Sequence, residues 1–127
     1  MPKRPPLAKS ELELARIVWR LGEATVRQVL EELPRERGLD FATVQTYLRR
    51  LEAKGYLRVS QRGRTNVYSS RVEPDRVVGE VVRDFLDRVF DGQPLPLVQQ
   101  LISDRDLSDE EIDELQRTLD QLKERKR

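Results

Sequence analysis

The sequence predicts a mainly α-helical chain with one small β-hairpin: three helices and the hairpin in front, further helices behind. Three observations carry this. Apolar residues recur at helical spacing through most of the 127 residues, and several of these stripes open on capping patterns. The period changes from helical to alternating once, from Leu57. Charge then divides the chain. Residues 1–73 hold 15 Lys and Arg against 9 Asp and Glu, for +6, and residues 74–127 hold 9 against 14, for −5, which together give the net +1. A basic front and an acidic back imply a polyanion-binding part joined to a part with another task.

The elements follow in order. "MPKRPPLAK" is basic and Pro-rich, so residues 1–9 read as a flexible arm. In "SELELARIVWRLG" Ser10 and Glu13 match a capping box, Leu14, Ile17, Val18 and Leu21 form a stripe, and Gly22 closes the helix. Trp19 is expected to pack in the core. Thr25 and Gln28 match a second capping box, for a short helix through Val26, Val29, Leu30 and Leu33 that ends before Pro34. Asp40 is the expected N-cap of a third helix, whose stripe is Val44, Tyr47, Leu48 and Leu51 and whose stop is Gly55. "YLRVSQRGRTNVYSSRV" then alternates as a hairpin with "RGR" at its tip. Residues 10–72 thus predict one domain.

Residues 73–127 predict a second, helical one. The stripe from Val77 to Phe90 is wider than a solitary solvent-facing helix needs. "LPLVQQLIS" predicts a short helix. Ser108 and Glu111 match a third capping box, for a last helix with the narrow seam Ile112, Leu115, Leu119 and Leu122.

Composition excludes several functions. There is no Cys and no His, which removes disulfides, thiolate metal sites and the usual general base. No nucleophile, base and oxyanion site can be assembled, so an enzyme is not expected, nor a metal or cofactor. No apolar run approaches the roughly 20 residues that span a bilayer, and the N-terminal stretch lacks the apolar core of a signal peptide. A cytoplasmic protein is expected.

The third helix carries the functional argument. At 100° per residue the stripe from Val44 to Leu51 faces inward, and Ala42, Thr46, Arg49 and Ala53 face outward with Gln45 and Arg50 on the flanks. Small outward residues let a helix approach base edges, Arg pairs with guanine, and Gln pairs with adenine. Free N–H groups at the helix start suit a phosphate, and Thr43 lies there. Arg62 and Arg64 flank Gly63 at the hairpin tip and would reach the DNA backbone. Three helices and a basic-tipped hairpin are the order of a winged helix-turn-helix, whose third helix enters the major groove. A winged helix can also serve as a protein–protein interaction module without sequence-specific DNA binding, so that alternative stands beside DNA binding.

Four segments together, "ELELARIVWRLGEATVRQVLEEL", "TVQTYLRRLEAKGYL", "RGRTNVYSSRV" and "FLDRVFDGQPLPLVQQLISDRDLSDEEIDELQRTL", resemble the BlaI/MecI-type penicillinase repressor family over about residues 7–122. The resemblance implies a winged-helix DNA-binding domain and an α-helical dimerisation domain. It implies a homodimer that binds double-stranded DNA at a palindromic operator and represses nearby genes. Thr43 and Thr46 match the family's DNA-contacting threonines, and Gln45 stands where some members have lysine. The expected dimer surface is Val78, Val82, Phe85, Leu86, Val89, Leu97, Leu101, Ile112, Leu115, Leu119 and Leu122. Two features depart from relatives. An induced protease cuts β-lactam-responsive members at an Asn-Phe bond, and the matching bond here is Gln100–Leu101. Copper-responsive relatives use a Cys-rich tail that this chain lacks. The inactivating protease or ligand is therefore left open.

Overall fold

A computed structural model describes residues 4–127. Six helices and a three-stranded sheet follow the predicted order: α1 Lys9–Leu21, β1 Glu23–Ala24, α2 Val26–Glu32, a 3-10 turn Arg35–Arg37, α3 Phe41–Ala53, β2 Leu57–Arg62, β3 Thr65–Ser70, α4 Pro74–Phe90, α5 Pro94–Asp104 and α6 Asp109–Arg125. The sheet is antiparallel in the order β1-β3-β2. Strand β1 has only two residues, too few to show any period, and the sequence reading missed it. It pairs Glu23 with Ser69 and Ala24 with Tyr68.

The chain divides into two compact units, residues 1–81 and 82–127. The first holds every buried residue among those described. Its core joins Leu14 and Val18 of α1, Val29 of α2, Val44, Leu48 and Leu51 of α3, and Leu57 and Tyr68 of the sheet. Trp19 packs against this core, half-buried. Val77, in the first turn of α4, is 1% exposed and belongs to the same core. The division therefore falls inside α4, nine residues beyond the 72/73 boundary expected from the sequence.

Helix ends show how local chemistry sets the elements. Thr25 and Gln28 form the predicted capping box, with bonds of 3.2 and 2.8 Å. Ser108 and Glu111 form theirs at 3.1 and 3.0 Å. At the end of α3 the Tyr56 N–H donates to the Leu51 carbonyl and the Gly55 N–H to that of Glu52, a Schellman motif that Gly55 permits at φ +89°.

Helix α1 corrects the expectation of a Ser10–Glu13 capping box. It begins two residues earlier, after Ala8, and the Ala8 N–H donates to the Glu11 carboxylate at 2.8 Å. Ser10 and Glu13 instead hold Arg37, which donates to Ser10 Oγ at 3.2 Å and to the Glu13 carboxylate at 2.9 and 3.1 Å. The expected flexible arm also differs. Residues 1–3 lie outside the described residues, but 4–8 are tied down. Tyr56 Oη donates to the Pro5 carbonyl at 2.7 Å, Lys54 Nζ to that of Pro6 at 3.1 Å, and Leu7 packs on the core.

Glu11 is the one buried charged residue among those described, at 2% exposure. Lys54 Nζ reaches its carboxylate at 2.6 Å. Burial alone would raise the Glu11 pKa. The Lys54 hydrogen bond, the Ala8 N–H and the charges of Lys54 and Arg50 outweigh it and hold the carboxyl below its ordinary value. The stability this carboxylate contributes is complete above the ordinary glutamate pKa of about 4.3 and is lost as the pH falls through the lowered native value. Removing one partner strands the other, so Lys54→Ala is expected to cost about 2–4 kcal/mol in urea unfolding at neutral pH. Glu11→Gln should flatten the acid limb of the stability profile. A Lys54→Ala loss below about 0.5 kcal/mol would show that water satisfies Glu11 instead.

Candidate nucleic-acid interface

Helix α3 is turned as its stripe requires. Val44, Leu48 and Leu51 are buried, and Ala42, Thr46, Arg49, Arg50 and Ala53 are exposed, with Gln45 half-buried at the flank. The outward face is small along its length apart from the two arginines. Thr46 Oγ donates back to the Ala42 carbonyl at 2.9 Å, which holds its rotamer and leaves the methyl and the oxygen lone pairs outward.

The start of α3 is less open to phosphate than its sequence suggests. Asp40 caps it, accepting the Thr43 N–H at 2.8 Å, and the Thr43 hydroxyl faces the same carboxyl. These bonds hold the Asp40 carboxyl below its usual range. The free N–H groups expected there are thus reduced by the cap itself, and Thr43 must turn from Asp40 to meet a phosphate.

Two aromatic platforms order the neighbouring cations. The Arg50 guanidinium lies 5.6 Å from the centre of the Tyr47 ring, and that of Arg27 lies 5.9 Å from the centre of Phe41. Arg49 lies against the hydroxyl of Tyr68 on β3. Burial raises the Tyr68 pKa and the Glu52 charge adds to it, while the nearby Arg49 guanidinium works against both.

The hairpin turns through Gly63 and Arg64, with Arg62 opposite Thr65. Gly63 has φ +65°, the left-handed region. Arg62 is already engaged: its two terminal nitrogens donate to the Glu23 carboxylate at 2.6 and 2.7 Å. Both partners are solvated, so the clasp is weak and exchangeable. Arg64 makes no ion pair among the described residues. Sequence reasoning had named Arg49 and Arg62 but missed their supports, Tyr68 and Glu23. Neither support carries a motif, because each acts through a strand pairing that joins residues far apart in sequence.

A single fold thus brings Ala42, Thr46, Arg49 and Arg50 onto one helix face, and sets Arg62 and Arg64 on a separate β-ribbon. The penicillinase repressor profile matches residues 7–121. The chain belongs to the penicillinase repressor family. The penicillinase repressor of Bacillus licheniformis is 31% identical over 127 residues, spanning 100% of this chain and 99% of its own. The methicillin resistance regulatory protein MecI of Staphylococcus aureus strain N315 is 26% identical over 113 residues, spanning 89% of this chain and 92% of its own. Among solved structures, the DNA-binding domain of the repressor BlaI is similar with a TM-score of 0.51 and 31% identity, over 58% of this chain and 90% of that one. The monomeric form of B. licheniformis BlaI in complex with the blaP half-operator is similar with a TM-score of 0.50 and 31% identity, over 59% and 92%. The family is one of transcriptional repressors, not of enzymes, and this member has the winged-helix fold.

The remaining site residues fall on the family member's helical half. Val78, Val82, Phe85 and Val89 of α4, Leu101 of α5, and Ile112, Leu115, Leu119 and Leu122 of α6 are exposed, while Leu86 and Leu97 are half-buried. The Gln100–Leu101 bond lies inside α5, where the Gln100 side chain donates to Asp104 at 2.7 Å. Among the described residues no helix is long and apolar enough to cross a membrane.

The hairpin turn gives a direct test. A Cβ at Gly63 would meet nothing within 4 Å, so only the backbone opposes it. Gly63→Ala is expected to destabilise the hairpin by about 1 kcal/mol, read as faster amide exchange in β2 and β3. Gly63→Asn should recover part of the loss. Equal exchange in Gly63→Ala and wild type would mean that the turn has another conformation in solution.

Proposed function

We propose that this chain is a homodimeric, sequence-specific DNA-binding repressor that occupies a palindromic promoter operator, with α3 in the major groove and the wing on the backbone. The observation that carries the DNA contact is the outward face of α3, where the small residues Ala42, Thr46 and Ala53 stand beside Arg49 and Arg50. In this reading Arg49 and Gln45 address base edges. Thr43, Thr46, Arg50, Arg62 and Arg64 address phosphate and sugar, and Ala42 and Ala53 permit the approach. Membership of a repressor family and the half-operator complex of the similar BlaI domain support the same reading. A cytoplasmic location goes with it.

The homodimer rests on a different observation. None of the residues 82–127 is buried, and eleven large apolar side chains there are 40–63% exposed. A helical unit with no core of its own, bearing a wide apolar stripe, fits a second copy that supplies the missing surface. Residues 73–127 then act as the dimerisation domain, with 10–72 as the DNA-binding domain. Tethering two winged helices raises affinity for a palindrome without new contacts, through effective concentration.

Fluorescence anisotropy with the DNA upstream of the chain's own gene, a shuffled control and several salt concentrations tests the DNA contact. Selective binding that weakens steeply with salt is expected. Arg49→Ala should cost about 1–3 kcal/mol of operator affinity and leave the unfolding curve unchanged. Wild-type affinity in both Arg49→Ala and Thr46→Ala would place the contact elsewhere. Sedimentation of the full chain tests the dimer. Leu115→Asp with Leu119→Asp should give monomers that bind a half-site far better than they bind the palindrome in pairs. A wild-type molecular mass for that double variant would remove α6 from the interface.

A further inference from the structure

We propose that the cavity between Arg4, the α3–β2 turn and the first turn of α4 binds a small dianion, phosphate-like or dicarboxylate. The cavity measures about 570 Å³ and is lined by Arg4, Gly55, Arg71, Val72, Glu73 and Arg76. Three guanidiniums line it against the Glu73 carboxylate, and with Glu80 behind Arg4 and Arg76 one positive charge remains in excess. Its size suits a small organic acid or phosphate ester better than a halide.

Arg4 is held ready. One terminal nitrogen donates to both Glu80 oxygens at 2.7 Å, and its guanidinium lies 5.4 Å from the centre of the Tyr56 ring. Its stem crosses Gly55, where a Cβ would come within 3.6 Å of Arg4 Cδ. The carbonyls of the next two residues, Pro5 and Pro6, are hydrogen-bonded to Tyr56 and Lys54. The Arg4 Nε is nevertheless buried without a hydrogen-bond partner. A desolvated donor on a cation is costly to leave unpaired, and an anionic oxygen would satisfy it once Arg4 turns from Glu80 toward the cavity. The other two arginines have little to hold them: Arg76 comes only within 3.9 Å of Glu80, and Arg71 makes no ion pair among the described residues.

This cavity is distinct from the outward face of α3. It lies beyond the C-terminal end of that helix, about 18 Å along the axis from Thr43 at 1.5 Å per residue. A ligand there would draw Arg4 away from Glu80 of α4. Neither the proposed operator contact nor the proposed dimer is needed for it to bind.

The test is titration of the full chain with inorganic phosphate and with succinate at constant ionic strength, chloride serving as control. Binding is read by calorimetry and by the arginine Nε–H resonances. Saturable binding that shifts Arg4, Arg71 and Arg76 is expected. A stronger response to phosphate would identify a phosphoryl ligand, and a stronger response to succinate a carboxylate ligand. Arg71→Gln and Arg76→Gln should each weaken binding about tenfold or more. Glu80→Gln, which frees Arg4, should tighten it. Responses no larger than those to chloride would overturn the proposal, as would undiminished binding in the Arg71→Gln, Arg76→Gln double variant. So would loss of binding in Arg49→Ala, which would place the anion on the α3 face.

Discussion

The rotation of α3 about its own axis is the constraint from which the rest follows. Val44, Leu48 and Leu51 have no exposed surface, and they meet α1, α2 and the sheet together. A turn of the helix by one residue would move all three out of the core and bring charged groups in. The same three contacts therefore decide that Ala42, Thr46 and Arg49 face outward. Both ends are also set, by the Asp40 cap and by the Gly55 Schellman motif. Lys54, just past the last turn, then lies where it can reach Glu11 and the Pro6 carbonyl.

The charged groups fall into two classes with different uses. Glu11 is withdrawn from water and bound to the partly buried Lys54, so neither is exchanged for a ligand without loss of structure. Arg62 with Glu23, Arg27 over Phe41 and Arg50 over Tyr47 are solvated arrangements that order a cation at low cost and release it readily. A surface that meets a polyanion benefits from the second class. Its arginines lose less side-chain entropy on contact than free ones, and the contact replaces a weak partner with a stronger one.

Much of this was legible in the sequence because it is written locally. The Thr25 and Ser108 capping boxes, the Asp40 cap, the α3 stripe and the hairpin around Gly63 each lie within a few residues, and each formed as read. The failures share a cause. Ser10 and Glu13 have capping-box spacing, but Arg37, more than twenty residues away, claims both side chains. The arm looked loose because nothing near it in sequence binds it, whereas its partners are Lys54, Tyr56 and Glu80. Likewise Tyr68 behind Arg49 and Glu23 on Arg62 depend on strand pairing. The wide stripe beginning at Val77 was read as one surface. Its first residue belongs to the front core, and only the later ones are left exposed.

That boundary within α4 has a consequence for how the two halves hold together in a cell. A unit with its own buried core has a folding free energy independent of concentration. A unit without one draws its folding from association, so its folding and binding equilibria become a single quantity that rises with protomer concentration. Residues 82–127, which have no buried residue, are of the second kind if they pair as proposed above. As the protein is diluted, they would lose structure while residues 1–81 remain folded. The loosened half would then be cut first by any general protease. Abundance itself would act as a control on such a molecule, since each fall in its level would hasten the removal of what remains.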